Sequence, residues 1–208
     1  MTEEERRRLA TDTDNGLLLI ISGPSGVGKT TITRGVERSI ADSVFSVSVT
    51  TRTPTQADVE GVDYRFITDE EFDRLVQDDA LLEHADVFGK RYGTRRAWVE
   101  EHLARGRLVI LEIDVEGARQ VKAKMPEAFA MFIDPPSEDT LLGRLRTRQR
   151  ESEEQIQKRF AEATREMARA RELGIYDAFI VNDELDRAIA EAIATVRAAR
   201  EQAGAPRA

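Results

Sequence analysis

Short apolar runs alternate along the chain with longer stretches in which apolar positions recur at helical spacing. Leu17–Ile21 is apolar at every position, the pattern of a strand buried on both faces of a parallel sheet. Leu108–Ile113, interrupted by Glu112, and Ala128–Ile133 have much the same character, and Ala178–Val181 supplies a last, shorter run. Between them the pattern predicts helices over Thr31–Ile40, Thr94–Arg105, Gly117–Lys124, Glu153–Leu173 and Glu184–Glu201. A further helix is capped by Ser137, has Glu138 and Asp139 in its first turn, and runs into Arg144–Arg150. Thr94 reads as the N-cap of its helix and Gly106 as the stop. Short buried strands alternating with helices specify an α/β fold with a parallel, helix-covered sheet.

Val44 to Tyr92 departs from that rhythm. Val44–Thr50 alternates Val44, Ser46 and Ser48 against Phe45, Val47 and Val49, which predicts one strand. A polar loop follows over Thr51–Val62, then a short strand at Asp63–Ile67. Thr68 caps a helix that has Asp69, Glu70 and Glu71 in its first turn and ends near Asp79. Leu81–Phe88 and Lys90–Tyr92 flank Gly89 as a hairpin. The stretch is a small mixed strand-and-helix insertion between core elements.

The chemistry enters directly after the first strand. Gly23-Pro24-Ser25-Gly26-Val27-Gly28-Lys29-Thr30 has the spacing of a phosphate-binding loop. Glycines let successive N–H groups turn toward one concavity, and the helix starting near Lys29 adds its positive end. Gly23 to Thr31 is thus the expected ATP site, with Lys29 reaching the β- and γ-phosphates and the Thr30 hydroxyl a ligand for Mg²⁺. Asp114, at the end of Leu108–Ile113, is placed to orient Mg²⁺ as well, partly through water, and can also cap the next helix. Glu112 lies two residues earlier and faces the same side in an extended strand. Arg144 and Arg148 share one face of the predicted helix, Arg146 and Arg150 another, and Arg159 follows on the next. In an arbitrary protein these would be solvated charges. Beside a phosphate donor, arginines on a mobile segment of about residues 144–159 form a lid that neutralises the transferring group and excludes water.

Composition narrows the substrate class. A net charge of -8 argues against general nucleic-acid binding, so an anionic substrate needs a local arginine cluster inside an acidic whole. The 208 residues suit one domain with a sizeable core. Cysteine is absent, which excludes disulfides and thiolate-bound metals and is compatible with a cytoplasmic address. No apolar run has the length of a transmembrane helix, so no membrane partner is expected. Residues 1–15 carry a Glu-Arg run without the apolar segment of a signal peptide and read, like 203–208, as a flexible tail. Monomer and homo-oligomer are equally compatible with the sequence.

With these residues in hand, the chain resembles guanylate kinase, the nucleoside monophosphate kinase family that phosphorylates GMP with ATP. The markers are Ser46-Val-Ser-Val-Thr-Thr-Arg52-Thr-Pro, Gly61-Val-Asp-Tyr64-Arg-Phe, Glu83-His-Ala, Tyr92-Gly-Thr94, Glu112-Ile-Asp114 and Ile180-Val-Asn182, in that order. The resemblance spans about Leu17 to Ile193 and implies a three-layer P-loop NTPase fold. The guanylate-kinase-like domain would cover residues 16–202: a core of 16–43, 94–136 and 174–202, a GMP-binding insertion at 44–93, and the helical lid. It implies that Arg52, Tyr64 and Tyr92 hold the GMP phosphate, and that Glu83 receives the guanine N1–H and exocyclic amine. Ser48 and Thr94 would read the remaining base edge, and Glu112 joins the GMP-binding set. Arg144, Arg148 and Arg159 become the lid clamp, catalytic together with Lys29 and Asp114, and Asn182 lies near the donor adenine. ATP and GMP, possible dGMP included, are the implied substrates and Mg²⁺ the implied cofactor.

The chain also departs from the family pattern. Thr55 stands where a second phosphate-binding arginine is usual, Ala57 and Asp58 replace a glycine and a glutamate, and Arg148-Gln149 replaces Arg-Gly. Losing one such arginine weakens acceptor binding by about 1–3 kcal/mol. Two alternatives remain at this stage: a kinase of the same fold acting on another phosphorylated acceptor, such as a ribose bisphosphate, and a non-catalytic interaction module.

Overall fold

The computed structural model describes residues 16–87, 89–147 and 152–204. Its core sheet is built from β1 (Leu17–Ser22), β2 (Ser43–Phe45), β7 (Leu108–Glu112), β8 (Phe129–Asp134) and β9 (Ala178–Val181). All pairings are parallel, in the order β2-β7-β1-β8-β9. The central strand β1 is buried throughout, as its unbroken apolar run requires. Leu17, Leu19 and Ile21 pack toward Ile32 and Val36 of α1 (Lys29–Ser39) and Ala188 and Ala192 of α7 (Leu185–Gly204). Leu18 and Ile20 take the other face, against Val99 of α3 (Arg96–Ala104) and Ala118 and Val121 of α4 (Val115–Lys124). Two opposed apolar faces make three layers, and each fully buried aliphatic side chain contributes roughly 1.5–3 kcal/mol.

Over β8, Phe132 meets Leu141 and Leu145 of α5 (Glu138–Thr147) and Ile156, Ala163 and Met167 of α6 (Glu153–Leu173). Helix α6 opens on a reciprocal cap between Ser152 and Gln155 and closes at Gly174 with φ 61°. Helix α7 continues past the expected end at Glu201 to Gly204, so residues 203 and 204 are helical. Among the described residues no helix is long and apolar enough to cross a membrane.

The insertion forms a second sheet, ordered β4-β3-β6-β5, from β3 (Val49–Thr50), β4 (Arg65–Phe66), β5 (Leu81–Val87) and β6 (Lys90–Arg95). The hairpin of β5 and β6 turns at Gly89 with φ 72°. Phe72 of α2 (Asp69–Gln77), whose Thr68 cap accepts the Glu71 N–H, packs on Val49 and Leu81 beneath this sheet.

Two expectations are corrected. The single strand at Val44–Thr50 is two strands in two sheets: Ser46 N–H still donates to Ile110 of β7, whereas Ser48 O accepts from Arg65 of the insertion. Alternation reports extended backbone and says nothing of which ladder it joins. Thr94 is not the cap of α3. It lies in β6, its hydroxyl is taken by Glu83, and Arg95 holds the cap position without a side-chain bond.

Candidate active site

The phosphate-binding loop links β1 to α1 as its spacing demands. Gly26 and Gly28 have φ of 89° and 98°, backbone open to glycine and strained for other residues. A Cβ on Gly28 would lie 2.6 Å from Asn182 Nδ2, so the turn after β9 leans directly on the loop. Asn182 is 4% exposed; its Nδ2 donates to Val27 O at 2.7 Å. Arg144 of α5 completes the brace, donating to Asn182 O at 2.8 Å and to Val27 O at 3.3 Å. From α6, Arg159 Nη2 donates to Ser25 Oγ at 2.6 Å. Arg148 and Arg150 lie outside the described residues. Arg146, to which the resemblance gives no role, pairs with Glu153.

Within the loop, Lys29 Nζ donates to Gly23 O at 2.7 Å. Thr30 Oγ1 donates to Glu112 Oε1 at 2.6 Å, tying the first turn of α1 to the end of β7. A hydroxyl has one hydrogen, so this bond leaves the Thr30 lone pairs available to a cation. Asp114 caps α4 by accepting the Gly117 N–H on Oδ1 at 2.7 Å. Its place is central: cavities of about 330, 480 and 570 Å³ all reach it.

The cavity of about 330 Å³ lies between the two sheets, and Ser48, Tyr64, Glu83, Tyr92, Glu112 and Asp114 line it. Thr30 lines it too, which brings the phosphate-binding loop to the edge of this second cleft. Glu83 is 6% exposed and accepts the Thr94 hydroxyl on Oε1 at 2.6 Å. Burial, with a smaller contribution from the Asp114 charge, pushes its carboxyl up to about 7. Tyr64 and Tyr92 meet edge to face with centroids 5.6 Å apart, and burial raises the Tyr64 phenol. The Arg52 guanidinium lies 5.0 Å over the Tyr64 ring and forks onto Asp58.

The motif residues therefore gather around two linked places. The loop, Lys29, Thr30, Arg144, Arg159 and Asn182 surround the first; Ser48, Tyr64, Glu83, Tyr92 and Thr94 the second, with Arg52 behind Tyr64. Glu112 and Asp114 stand between. Sequence reasoning missed Glu166, which lines the cavity of about 480 Å³ with Ser25, Asp114 and Arg159. Its carboxyl is pushed up to about 7, chiefly by burial, against the pull of the Lys29 charge. Its one signal in the chain is the spacing of seven from Arg159, which puts both on one face of α6. Asp58 was noted as a departure but given no role.

A guanylate kinase family model matches residues 15–199. Guanylate kinase of Anaeromyxobacter dehalogenans (strain 2CP-C) is 48% identical over 183 residues, 88% of this chain and 80% of the relative. That of Thermobifida fusca (strain YX) is 45% identical over 185 residues, 89% of this chain and 93% of the relative. Among solved structures, guanylate kinase from Anaplasma phagocytophilum superposes with a TM-score of 0.68 at 31% identity, covering 92% of this chain and 89% of that one. The matched span includes the residues of the loop and of the cleft, and on it the chain belongs to the guanylate kinase family, as a nucleoside monophosphate kinase.

Proposed function

We propose that the protein transfers the γ-phosphoryl group of Mg-ATP to GMP, giving ADP and GDP. The observation that carries the reading is Glu83: a buried carboxylate at the wall of a cleft that hydroxyls, phenols and acids share with the apolar side chains Phe45, Ala85, Val87 and Ile113. Guanine offers two parallel N–H donors to such a group and adenine does not. An unmatched buried carboxylate costs several kcal/mol, on the order of 3–5 when a buried charge loses its partner. That cost separates the purines.

The loop residues 23–31 cradle the donor, with Lys29 leaving Gly23 O for the phosphates and Asn182 and Arg144 keeping the loop in shape. Arg52, Tyr64 and Tyr92 bind the acceptor phosphate, while Ser48, Thr94 and Glu112 complete the nucleoside pocket. An acceptor phosphate oxygen attacks the γ-phosphorus, the bond to the bridging oxygen breaks, and ADP departs with that oxygen. No general base is needed, because the attacking oxygen is already anionic. Positioning and neutralisation by Lys29, Arg144, Arg148 and Arg159 supply the rate.

The donor set fits a hard divalent cation. Thr30 and Asp114 offer oxygen only, and among the described residues no cluster of three or more His, Cys, Asp or Glu could hold a metal alone. Magnesium there would be held by the Thr30 hydroxyl and the Asp114 carboxylate, and would supply positive charge to offset that of the phosphates.

The test is a coupled assay with GMP, AMP, UMP and ribose phosphates. GMP alone should turn over efficiently; similar rates for all four acceptors would overturn the guanine pocket.

A further inference from the structure

The acceptor phosphate is left with one arginine of the motif, and that arginine is already half engaged. Arg52 donates from Nη1 to Asp58 Oδ2 at 3.0 Å and from Nη2 to Asp58 Oδ1 at 2.8 Å. Nη1 also reaches Thr53 O at 3.3 Å. A guanidinium is planar with five N–H donors arranged in two usable forks. The end fork is therefore consumed. The side fork, Nε–H with the second Nη2–H, has no acceptor among the described residues. The guanidinium lies over two neighbouring rings, 5.0 Å from the Tyr64 centroid and 5.5 Å from that of Phe66, and Tyr64 lines the acceptor cavity.

Asp58 is equally fixed. Its Oδ2 accepts the Thr55 N–H at 2.6 Å and the Thr55 hydroxyl at 2.7 Å, and the Asp58 N–H returns to Thr55 O at 3.2 Å. The two side chains are 25% and 13% exposed, and the doubly bonded geometry separates this pair from loose surface ion pairs. Bonds from Arg52 and Thr55 hold the Asp58 carboxyl well below the usual carboxylate range, so it stays charged.

We propose that Asp58 is a positioning residue for the acceptor phosphate: it occupies one fork of Arg52 so that the other is presented to that phosphate, and Thr55 holds Asp58 in place. The inference deepens the GMP reading and rests on it. The phosphate need not displace Asp58, because the side fork is available while the end fork stays filled. Thr55, where the family pattern calls for another cation, instead supplies two hydrogen bonds that stiffen the cation the chain retains. Affinity here comes from geometry more than from summed charge.

The test measures GMP and ATP KM, kcat, and inhibition by guanosine, which has base and ribose but no phosphate, for the full chain and for Asp58→Asn, Asp58→Ala, Thr55→Val and Asp58→Ala/Thr55→Val. Both Asp58 variants should raise the GMP KM about ten-fold or more, the worth of one charge-assisted hydrogen bond. The loss should fall on KM rather than kcat, with the guanosine inhibition constant unchanged. Thr55→Val should give a smaller rise, and adding it to Asp58→Ala should do nothing further. A lower GMP KM in Asp58→Ala would make Asp58 a competitor of the phosphate and overturn the proposal. So would an unchanged KM, or a rise shared equally by guanosine, which marks general loop damage. If the parent chain does not phosphorylate GMP, the guanylate kinase reading itself fails, a result distinct from all of these.

Discussion

If Glu83 reads the guanine edge as proposed, selectivity and stability pull on it in opposite directions. Burial disfavours the charged form and pushes its carboxyl up from the ordinary glutamate value to about 7. The folded state thus binds this proton more tightly than the unfolded chain does. The resulting stability is fully present below about pH 4.5 and is lost as pH rises through about 7. Glu83→Gln should therefore melt higher than the parent at pH 8, by a free energy on the order of 3 kcal/mol, and no higher at pH 4. The same variant should raise the GMP KM and narrow the preference over AMP. In the parent, the GMP KM should climb as pH falls below about 7, as the guanine acceptor takes up its proton; a flat profile would remove Glu83 from base recognition. Lys29→Ala should abolish turnover while the thermal transition persists, read by a coupled assay and by circular dichroism. Turnover at the parent rate would place the phosphate contact elsewhere.

Among elements, the contrast lies between β1 and the pair β2 and β3. A strand apolar at every position has few alternatives to burial on both faces, so Leu17–Ile21 was legible in the chain. So were α6, bounded by the Ser152 cap and Gly174, and β9 at Ala178–Val181. The passage from β2 to β3 was not, since period-two alternation is the same in either sheet. Thr94 was misread for a related reason: a hydroxyl before a helix usually finds the nearest free amide, and here a carboxylate from another strand competes for it. Spacing alone led to the loop, whereas the two tyrosines and Glu83 were singled out only through the family resemblance, which rests on several short signatures in order. Glu166 escaped because its meaning depends on Ser25 and Asp114, far away in sequence. The α6 contact makes a prediction of its own. Arg159→Ala removes the bond to Ser25 and a lid cation together, so kcat should fall by about 10²-fold or more, the scale for one electrostatic stabiliser. A loss confined to KM would make Arg159 a docking group only.

At the scale of the molecule, an acidic chain handles two anionic substrates by keeping its cations at the sites and pairing others outward. Arg146 with Glu153 and Arg119 with Glu116 are exposed pairs that carry little stability. Stability resides in the layered core, where Leu19→Ala should cost about 2–5 kcal/mol, measurable by urea unfolding. A cost under 1 kcal/mol would mean that the sheet collapses around the gap. The passage of one extended segment from β2 to β3 has a mechanical result. Residues 46–48 form a short tether shared by both sheets, and Ser48 on it lines the acceptor cleft. Any swing of the smaller sheet toward the larger must bend that strip, so on the proposed reading a nucleotide bound at Ser48 would stiffen the joint it spans.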